Sequence, residues 1–249
     1  MSKITRDIPV ESLLSKQMGL WEVQRHLRKN EKPDDLERQP WLQGYVTISR
    51  LLGSSGNKIA LRVAELLDFQ VFGRELVHFI SVSSKVRSQV IESLDGKRQS
   101  EVQRWVQGIM DSDILSSASY LKHLMRVILT IAEHGRAIII GRGANYILDS
   151  TRGVRVKIYA PEKWRVRRIQ EREQVSEKAA LKMIRESDNQ RLAFIRKYFH
   201  RDADDPAGYD LIINTADICP ELAAHLIKET LTNKYRTLSG LQKGRAKSE

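Results

Sequence analysis

The stretch that decides the fold runs from residue 45 to residue 69 and reads YVTISRLLGSSGNKIALRVAELLDF. Its first part, YVTIS, favours a β-strand, and its last part, KIALRVAELLDF, has apolar residues at helical spacing. Between them lies the turn Gly53-Ser54-Ser55-Gly56. Glycines let a backbone curl so that its N–H groups point inward, and a helix N-terminus adds partial positive charge. The stretch therefore predicts a strand, a phosphate-holding turn and a helix.

The same turn departs from the Walker A pattern GxxxxGK[ST]. Lys58 is nearby, but Ile59 follows it where the pattern has Ser or Thr. A plain connection between a strand and a helix is therefore the alternative interpretation of this turn.

Further strands and helices alternate along the chain beyond this stretch. The candidate strands are QVFG at 70–73, AIIIG at 137–141, VRVKIYA at 154–160 and YDLIINT at 209–215. The intervening helices have recognisable ends: Gly135 closes the first, Pro161 suits the N1 position of the second, and Ser176 begins a capping box in the third. Five strands alternating with helices imply right-handed crossovers and an α/β fold, in which helices cover both faces of a parallel sheet.

Composition excludes several classes of protein. The 249 residues are 41% hydrophobic and 29% charged, as in soluble globular proteins, and no run is long enough to span a membrane. The N-terminus lacks the apolar core of a secretory signal. A single cysteine, Cys219, excludes an internal disulfide and any all-cysteine metal site. We therefore expect a cytoplasmic protein without a membrane partner.

The positive charge is concentrated within the chain. The formal net charge is +11, and residues 162–201 hold 12 Lys or Arg against 6 Asp or Glu. This segment is predicted to be helical, and it is either a solvated basic face or a segment that grips phosphates. Residues 1–43 are predicted to be a helical extension with a linker, 44–235 the main domain, and 236–249 a basic tail. The extension and tail leave nucleic acid open as a secondary partner.

Four segments, taken in order, resemble the cytidylate kinase-like family of P-loop proteins. They are VTISRLLGSSGNKIALRVAELL, AIIIGRGANYIL, VRVKIYAPEKWRVRRIQERE, and DNQR followed by YDLIINT. The resemblance covers about residues 45–233, and its most specific part is IIIGRGANYIL. It implies a three-layer α/β/α P-loop fold with a five-stranded parallel sheet, an insertion that binds a nucleoside monophosphate, and a helical lid at about 161–202. The implied reaction is transfer of the γ-phosphoryl group of ATP to CMP or dCMP with Mg²⁺.

The resemblance also implies roles for individual residues. The phosphate loop corresponds to Gly53, Ser54, Ser55, Gly56, Asn57 and Lys58. Arg142 matches the arginine of the GRD motif of CMP kinase, which contacts the acceptor phosphate, and Asn145 follows it on the acceptor side. Asp188 and Arg191 match a D-x-x-R element that orients the acceptor. The lid begins with a group of arginines, of which one or two close over the ATP phosphates, namely Arg165, Arg167, Arg168 and Arg172.

Aligned without gaps to CMP kinase, the sequence departs at several of these positions, although replacement of the Walker lysine is common in the cytidylate kinase-like family. Gly56 takes the place of the Walker lysine and Lys58 that of the Mg²⁺-binding hydroxyl residue, so Arg50 or Lys58 is expected to supply the missing charge. Ser55 replaces a glycine and fits the loop if its φ is negative.

The acceptor side has changed as well. The departures there are Gly143 for the aspartate of GRD, Gly73 for an acid, and Ile184 beside Arg185 for an arginine. Arg74, next to Gly73, is expected to bind the acceptor. The leading interpretation is a nucleoside monophosphate kinase. The alternatives are a diverged nucleotide-binding regulatory protein on the same fold and a basic protein associated with nucleic acid.

Overall fold

Strand β1 (Tyr45–Arg50) forms the centre of the sheet. In the computed structural model, the described part of the chain comprises residues 43–110 and 119–245, with single positions at 12, 15, 18, 19, 21 and 22. The other strands are β2 (Gln70–Phe72), β3 (Ala137–Ile140), β4 (Gly153–Tyr159) and β5 (Leu211–Asn214). All five correspond to the predicted strands.

Helices connect the strands. They are α1 (Gly56–Leu67), α2 (Arg74–Val82), α3 (Ser84–Glu92), α4 (Gly96–Met110), α5 (Ser119–His134), α6 (Ala144–Ile147), α7 (Glu162–Glu173), α8 (Glu177–Phe199) and α9 (Pro220–Arg245). A short 3-10 helix, Pro206–Gly208, precedes β5. Helix α9 therefore includes residues 236–245 of the predicted tail. Most of the predicted N-terminal helix lies outside the described residues, as do residues 111–118 and 246–249.

The sheet has the strand order β2-β3-β1-β4-β5. Strand β1 pairs in parallel with β3, where Thr47 lies opposite Ile139, and with β4, where Ser49 lies opposite Lys157. The chain crosses from one side of β1 to the other between β3 and β4, and ligands of such sheets bind at this switch point, beyond the carboxyl ends of the strands. The predicted α/β class with a five-stranded parallel sheet is confirmed.

The core explains why the strands are so apolar. All four residues of β3 are buried, and in β1 and β4 the residues Val46, Ile48, Val156 and Ile158 are at most 1% exposed. Helices α1 and α9 contribute buried residues to the same cluster through Val63 and Ile227. Continuous apolar strands are expected where a parallel sheet is covered on both faces.

The predicted helix ends agree with the structure except at one proline. Gly135 follows α5 with a φ of +70°, as a C′ glycine should, and Ser176 Oγ accepts a hydrogen bond from the Ala179 amide at the start of α8. Pro161 stands one position earlier than predicted. It precedes α7 in an extended conformation (ψ 149°), and the first helical residue is Glu162.

The chain divides into two compact units, one formed by Met1–Gln39 with Phe72–His134 and the other by Pro40–Val71 with Gly135–Glu249. In the first unit, the Trp21 ring is 2% exposed and stacks on His134 at 4.2 Å between ring centroids. His134 Nε2 also lies 2.8 Å from Ser93 Oγ. The second unit holds the phosphate loop. No helix in the described ranges is both long and apolar enough to cross a membrane.

Candidate phosphate and acceptor site

The turn after β1 requires a glycine at its first position. Gly53 has a φ of +83°, and a Cβ placed on it would lie 2.8 Å from the carbonyl oxygen of Arg165 in α7. Any side chain here would both strain the backbone and collide with α7. Ser54 is fully buried, and its Oγ donates to the Leu51 carbonyl at 2.8 Å. The turn is therefore held by α7 on one side and by its own hydrogen bonds on the other.

Ser55 corrects an expectation. Its φ is +60° and its ψ is 10°, so it is left-handed, whereas it was expected to fit the loop with a negative φ. The hydrogen bonds from the Ser54 amide and Oγ to Leu51 close the turn early, and a left-handed residue must then lead into α1. A left-handed conformation costs a residue with a side chain about 1–2 kcal/mol. The loop keeps its curled backbone at this cost.

Arg50 lies over the start of α1. A Cβ on Gly56 would be only 2.5 Å from the Cβ of Arg50, so the arginine side chain fills the space that a side chain at position 56 would need. Arg50 Nε donates to Asn57 Oδ1 at 3.0 Å, and its Nη1 lies 3.5 Å from where a Cβ on Gly141 would be. The guanidinium thus lies between the phosphate loop and the end of β3. Lys58 is exposed on α1.

The segment after β3 is a tight left-handed turn. Gly141, Arg142 and Gly143 have φ values of +74°, +54° and +68°, and the Ala144 amide donates to the Gly141 carbonyl at 3.2 Å. This is the geometry of a type I′ turn, which rarely accommodates a residue as large as arginine. The Arg142 guanidinium lies 5.5 Å from the centroid of the Phe194 ring. Strained residues of this kind cluster at functional sites.

Two neighbours of Arg142 account for changes on the acceptor side. A Cβ on Gly143 would lie 2.2 Å from the ring of Phe199, so that ring occupies the space that the acid of a GRD sequence would need. Asn145, predicted to bind the acceptor, is 6% exposed, and its Nδ2 donates to the Gly208 carbonyl at 3.4 Å. Its amide thus helps to anchor the segment before β5.

Helices α7 and α8 bring two charged residues to the phosphate loop. Arg165 is 6% exposed, and its Nη1 donates to Asp188 Oδ2 at 2.8 Å and lies 3.5 Å from the Leu52 carbonyl. Both partners keep a buried atom without a hydrogen-bond partner among the described residues, Arg165 Nε and Asp188 Oδ1. Asp188, assigned to the acceptor by resemblance, is therefore tied to the phosphate loop through Arg165.

The remaining lid arginines are dispersed. Arg168 is half-buried and donates to both the hydroxyl and the carbonyl of Thr215, directly after β5. Arg172 is exposed and pairs with the adjacent Glu173 at 2.8 Å. Arg167 is also exposed and pairs with Glu171, one turn further along α7. In this conformation the arginines of α7 do not converge on one point.

Arg191 lies in a charged cluster that includes a residue absent from the sequence-based predictions. Its Nη2 contacts Asp204 Oδ1 at 3.2 Å, and the same oxygen accepts from Lys157 Nζ at 2.8 Å. Lys157 is on β4 and is 8% exposed. Burial tends to raise the pKa of Asp204, but the hydrogen bonds from Lys157 and Arg191 outweigh it and hold that pKa below its ordinary value. The sequence feature that could have indicated Lys157 is the presence of a lysine within the apolar strand VRVKIYA.

Two other candidates have different surroundings. Arg74 belongs to the first compact unit, where it pairs with Glu75 at 2.9 Å. Ile184 is fully buried in the cluster of α7 and α8, and the neighbouring Arg185 is exposed, with its Nε 3.9 Å from Glu162. The Arg185 side chain is therefore directed to Glu162 and not into the buried position of Ile184.

The described residues do not form a metal site of their own. They contain no group of three or more His, Cys, Asp or Glu side chains that could hold a metal ion. The family's Mg²⁺-binding hydroxyl position holds the exposed ammonium of Lys58. The phosphate loop, in contrast, fits a polyphosphate, because its curled backbone leads into the unsatisfied N–H groups at the start of α1.

Comparison with known proteins gives one family. The model of the cytidylate kinase-like family matches residues 45–217, which agrees with the extent of the resemblance. No curated protein has a significantly similar sequence.

Among solved structures, an uncharacterized protein from Eubacterium ventriosum ATCC 27560 has a TM-score of 0.53 at 21% identity, over 75% of this chain and 97% of that one. Shikimate kinase from Acinetobacter baumannii in complex with shikimate scores 0.39 at 13% identity, over 76% and 92%. Dephospho-CoA kinase from Campylobacter jejuni scores 0.33 at 14% identity, over 76% and 98%. The first of these three structures supports the fold, since its TM-score is above 0.5.

Proposed function

We propose that this chain, which belongs to the cytidylate kinase-like family, is a phosphotransferase that transfers the γ-phosphoryl group of ATP to a nucleoside monophosphate, with CMP or dCMP as the acceptor. The observation that carries the proposal is the position of Arg50. Its side chain crosses the start of α1, where Gly56 lacks the side chain that would otherwise fill this space.

The main feature that argues against a kinase is the missing Walker lysine. A cation at the position of Arg50 would supply the charge of that lysine. Phosphoryl transfer depends on positioning and on neutralising the charge of the phosphate oxygens. A guanidinium can do this with two parallel hydrogen bonds, which a lysine cannot make. Arg50 would thus bind the ATP phosphates, while the loop backbone at 53–58 holds them in place.

Arg142 supports the acceptor half of the proposal. It stands at the carboxyl end of β3, next to β1, and a Cβ placed on Gly141 beside it would lie 3.5 Å from Arg50 Nη1. Two arginines from neighbouring strands suit two phosphate groups that must approach each other in line. We assign Arg142 and Arg191 to the acceptor phosphate, and Arg168 and Arg172 to closure over ATP when the lid moves.

Mg²⁺ use comes with the proposed reaction, as the counter-charge of the ATP phosphates. Because Lys58 stands where the family has a hydroxyl ligand, we expect any Mg²⁺ to be held by the phosphate oxygens and water.

The test is a coupled assay of ADP release with ATP and Mg²⁺, offering CMP, dCMP, UMP, AMP and GMP as acceptors. We expect turnover with CMP or dCMP that is lost in Arg142→Ala and retained in Arg236→Ala, which removes an equal charge from the exposed surface of α9. Arg50→Ala should weaken ATP binding more than Lys58→Ala does. The reverse order would assign the missing charge to Lys58.

Three results would contradict the proposal. Measurable ATP binding without turnover of any acceptor would favour a nucleotide-binding regulatory protein. ADP release without an acceptor would indicate an ATPase. Absence of nucleotide binding, together with nucleic-acid binding that weakens steeply with salt, would favour a nucleic-acid partner.

A further inference from the structure

In the charged cluster of Lys157, Arg191 and Asp204, one carboxylate pairs with two cations. Asp204 Oδ1 lies 2.8 Å from Lys157 Nζ and 3.2 Å from Arg191 Nη2. The side chains of Lys157 and Arg191 are only 10% and 19% exposed, whereas that of Asp204 is 57% exposed. The cations are thus built into the fold, and the anion covers them from the solvent side.

The loop that carries Asp204 does not depend on this carboxylate for its position. Tyr146 donates to the Asp202 carbonyl at 3.1 Å, and Tyr209 donates to the Ala203 carbonyl at 2.8 Å. Lys157 itself also donates to the Ala203 carbonyl at 3.1 Å. Rotation of the Asp204 side chain would therefore expose the two cations and leave the backbone of the loop anchored.

We propose that Lys157 and Arg191 form a subsite for a phosphate monoester, and that the Asp204 carboxylate occupies this subsite until the phosphate displaces it. The proposal rests on the proposed function, in which that phosphate belongs to the acceptor nucleotide. It adds Lys157 as a binding residue and Asp204 as an internal competitor.

Charge and geometry favour such a displacement. A phosphate monoester carries up to two negative charges and three terminal oxygens, so it neutralises two cations better than one carboxylate does. Arg191 Nε is buried without a hydrogen-bond partner among the described residues, which leaves a donor for a further oxygen. The lowered pKa of Asp204 is consistent with a charged carboxylate that is paired with Lys157 and Arg191.

The subsite is also close to the phosphate loop along the sheet. Lys157 lies opposite Ser49 in the pairing of β4 with β1, and Ser49 precedes Arg50. Tyr209 links the two strands from the same side, since its hydroxyl lies 3.5 Å from Ser49 Oγ and its ring centroid 5.3 Å from Lys157 Nζ. A phosphate on Lys157 would thus lie beside β1, the strand that leads into the phosphate loop.

The experiment is calorimetric titration of the full chain with CMP, cytidine and inorganic phosphate, in the wild type, Asp204→Asn and Asp205→Asn. Asp204→Asn keeps the shape and removes the competing charge, so CMP and phosphate should both bind about fivefold more tightly, the change that corresponds to an ion pair of about 1 kcal/mol. Cytidine should bind equally to all three proteins. Asp205→Asn is the matched control, because Asp205 is the next residue and its Oδ1 accepts from the Ala207 amide.

Unchanged or weaker binding of CMP and phosphate in Asp204→Asn would overturn the subsite, as would equal tightening in Asp205→Asn. Lys157→Met, if it folds, should weaken both phosphate-bearing ligands and leave cytidine unaffected. The two proposals fail separately. Tighter phosphate binding without turnover of any acceptor would support the subsite and reject the kinase. Turnover of CMP with an unchanged KM in Asp204→Asn would support the kinase and reject the subsite.

Discussion

A double substitution at positions 50 and 56 tests whether Arg50 substitutes for the missing Walker lysine. The double variant Arg50→Gly/Gly56→Lys removes the arginine and places a lysine at the Walker position. Because the Cβ atoms of residues 50 and 56 would lie 2.5 Å apart, glycine must stand at one of the two positions. The double variant meets this condition, and the single variant Gly56→Lys violates it.

The expected magnitudes follow from these contacts. Gly56 has no left-handed backbone, so the Arg50 side chain is the obstacle to a lysine there. Overpacking of this kind costs about 1–3 kcal/mol, which lowers Tm by about 2–10 °C in a chain of this size. Removing a charge-assisted hydrogen bond to phosphate costs about 1.5–3 kcal/mol, so Arg50→Ala should weaken ATP binding by about 10- to 150-fold.

Thermal unfolding and ATP titration measure both effects. Gly56→Lys should melt below the wild type, Arg50→Gly should fold but bind ATP poorly, and the double variant should recover stability relative to Gly56→Lys together with part of the affinity. Arg236→Ala serves as the charge control. A Gly56→Lys variant as stable as the wild type would show that Arg50 does not block a side chain at position 56. Full ATP affinity in Arg50→Ala would show that Arg50 does not bind the phosphates.

Three further predictions concern stability, each measured by chemical denaturation. Ser55→Gly should stabilise the chain by about 1 kcal/mol, because glycine adopts the left-handed conformation without the penalty of a Cβ; destabilisation would argue against the positive φ. Gly143→Asp should destabilise it strongly, since the new Cβ would lie 2.2 Å from the Phe199 ring, and an unchanged midpoint of denaturation would contradict that packing. Burial tends to raise the pKa of Asp210, but the hydrogen bonds from Arg155 outweigh burial and lower this pKa in the folded state. The ion pair therefore contributes fully to the free energy of unfolding above the unfolded pKa of about 4, and this contribution is lost as pH falls through the lower folded pKa. Asp210→Asn should therefore lower stability at pH 7 and flatten its decline in acid; an unchanged acid limb would show that the pair does not contribute.

The fold could be predicted from the sequence because burial is visible in single residues. A strand such as AIIIG is apolar throughout, since helices cover both faces of the sheet, and Gly135 marks the end of its helix through its positive φ. These signals are local. They required no knowledge of which strands are neighbours.

The site was less predictable because its determinants are contacts between distant residues. Ser55 carries no sequence signal of a left-handed backbone, and the ring of Phe199 lies 56 positions from the glycine that it explains. The role of Lys157 appears only once Asp204 and Arg191 are placed against it. Residue types within a motif could be named from the sequence, but their partners could not.

The packing of Phe199 against Gly143 also constrains the order in which this site can change. Restoring an acidic residue at 143 in one mutational step would place its Cβ within the aromatic ring. A smaller side chain at 199 has to come first, and that intermediate loses the contact of the ring with Tyr146, 5.5 Å between centroids, before any benefit at 143 is gained. A GRD sequence at 141–143 thus requires two substitutions, and the first of them is destabilising by itself.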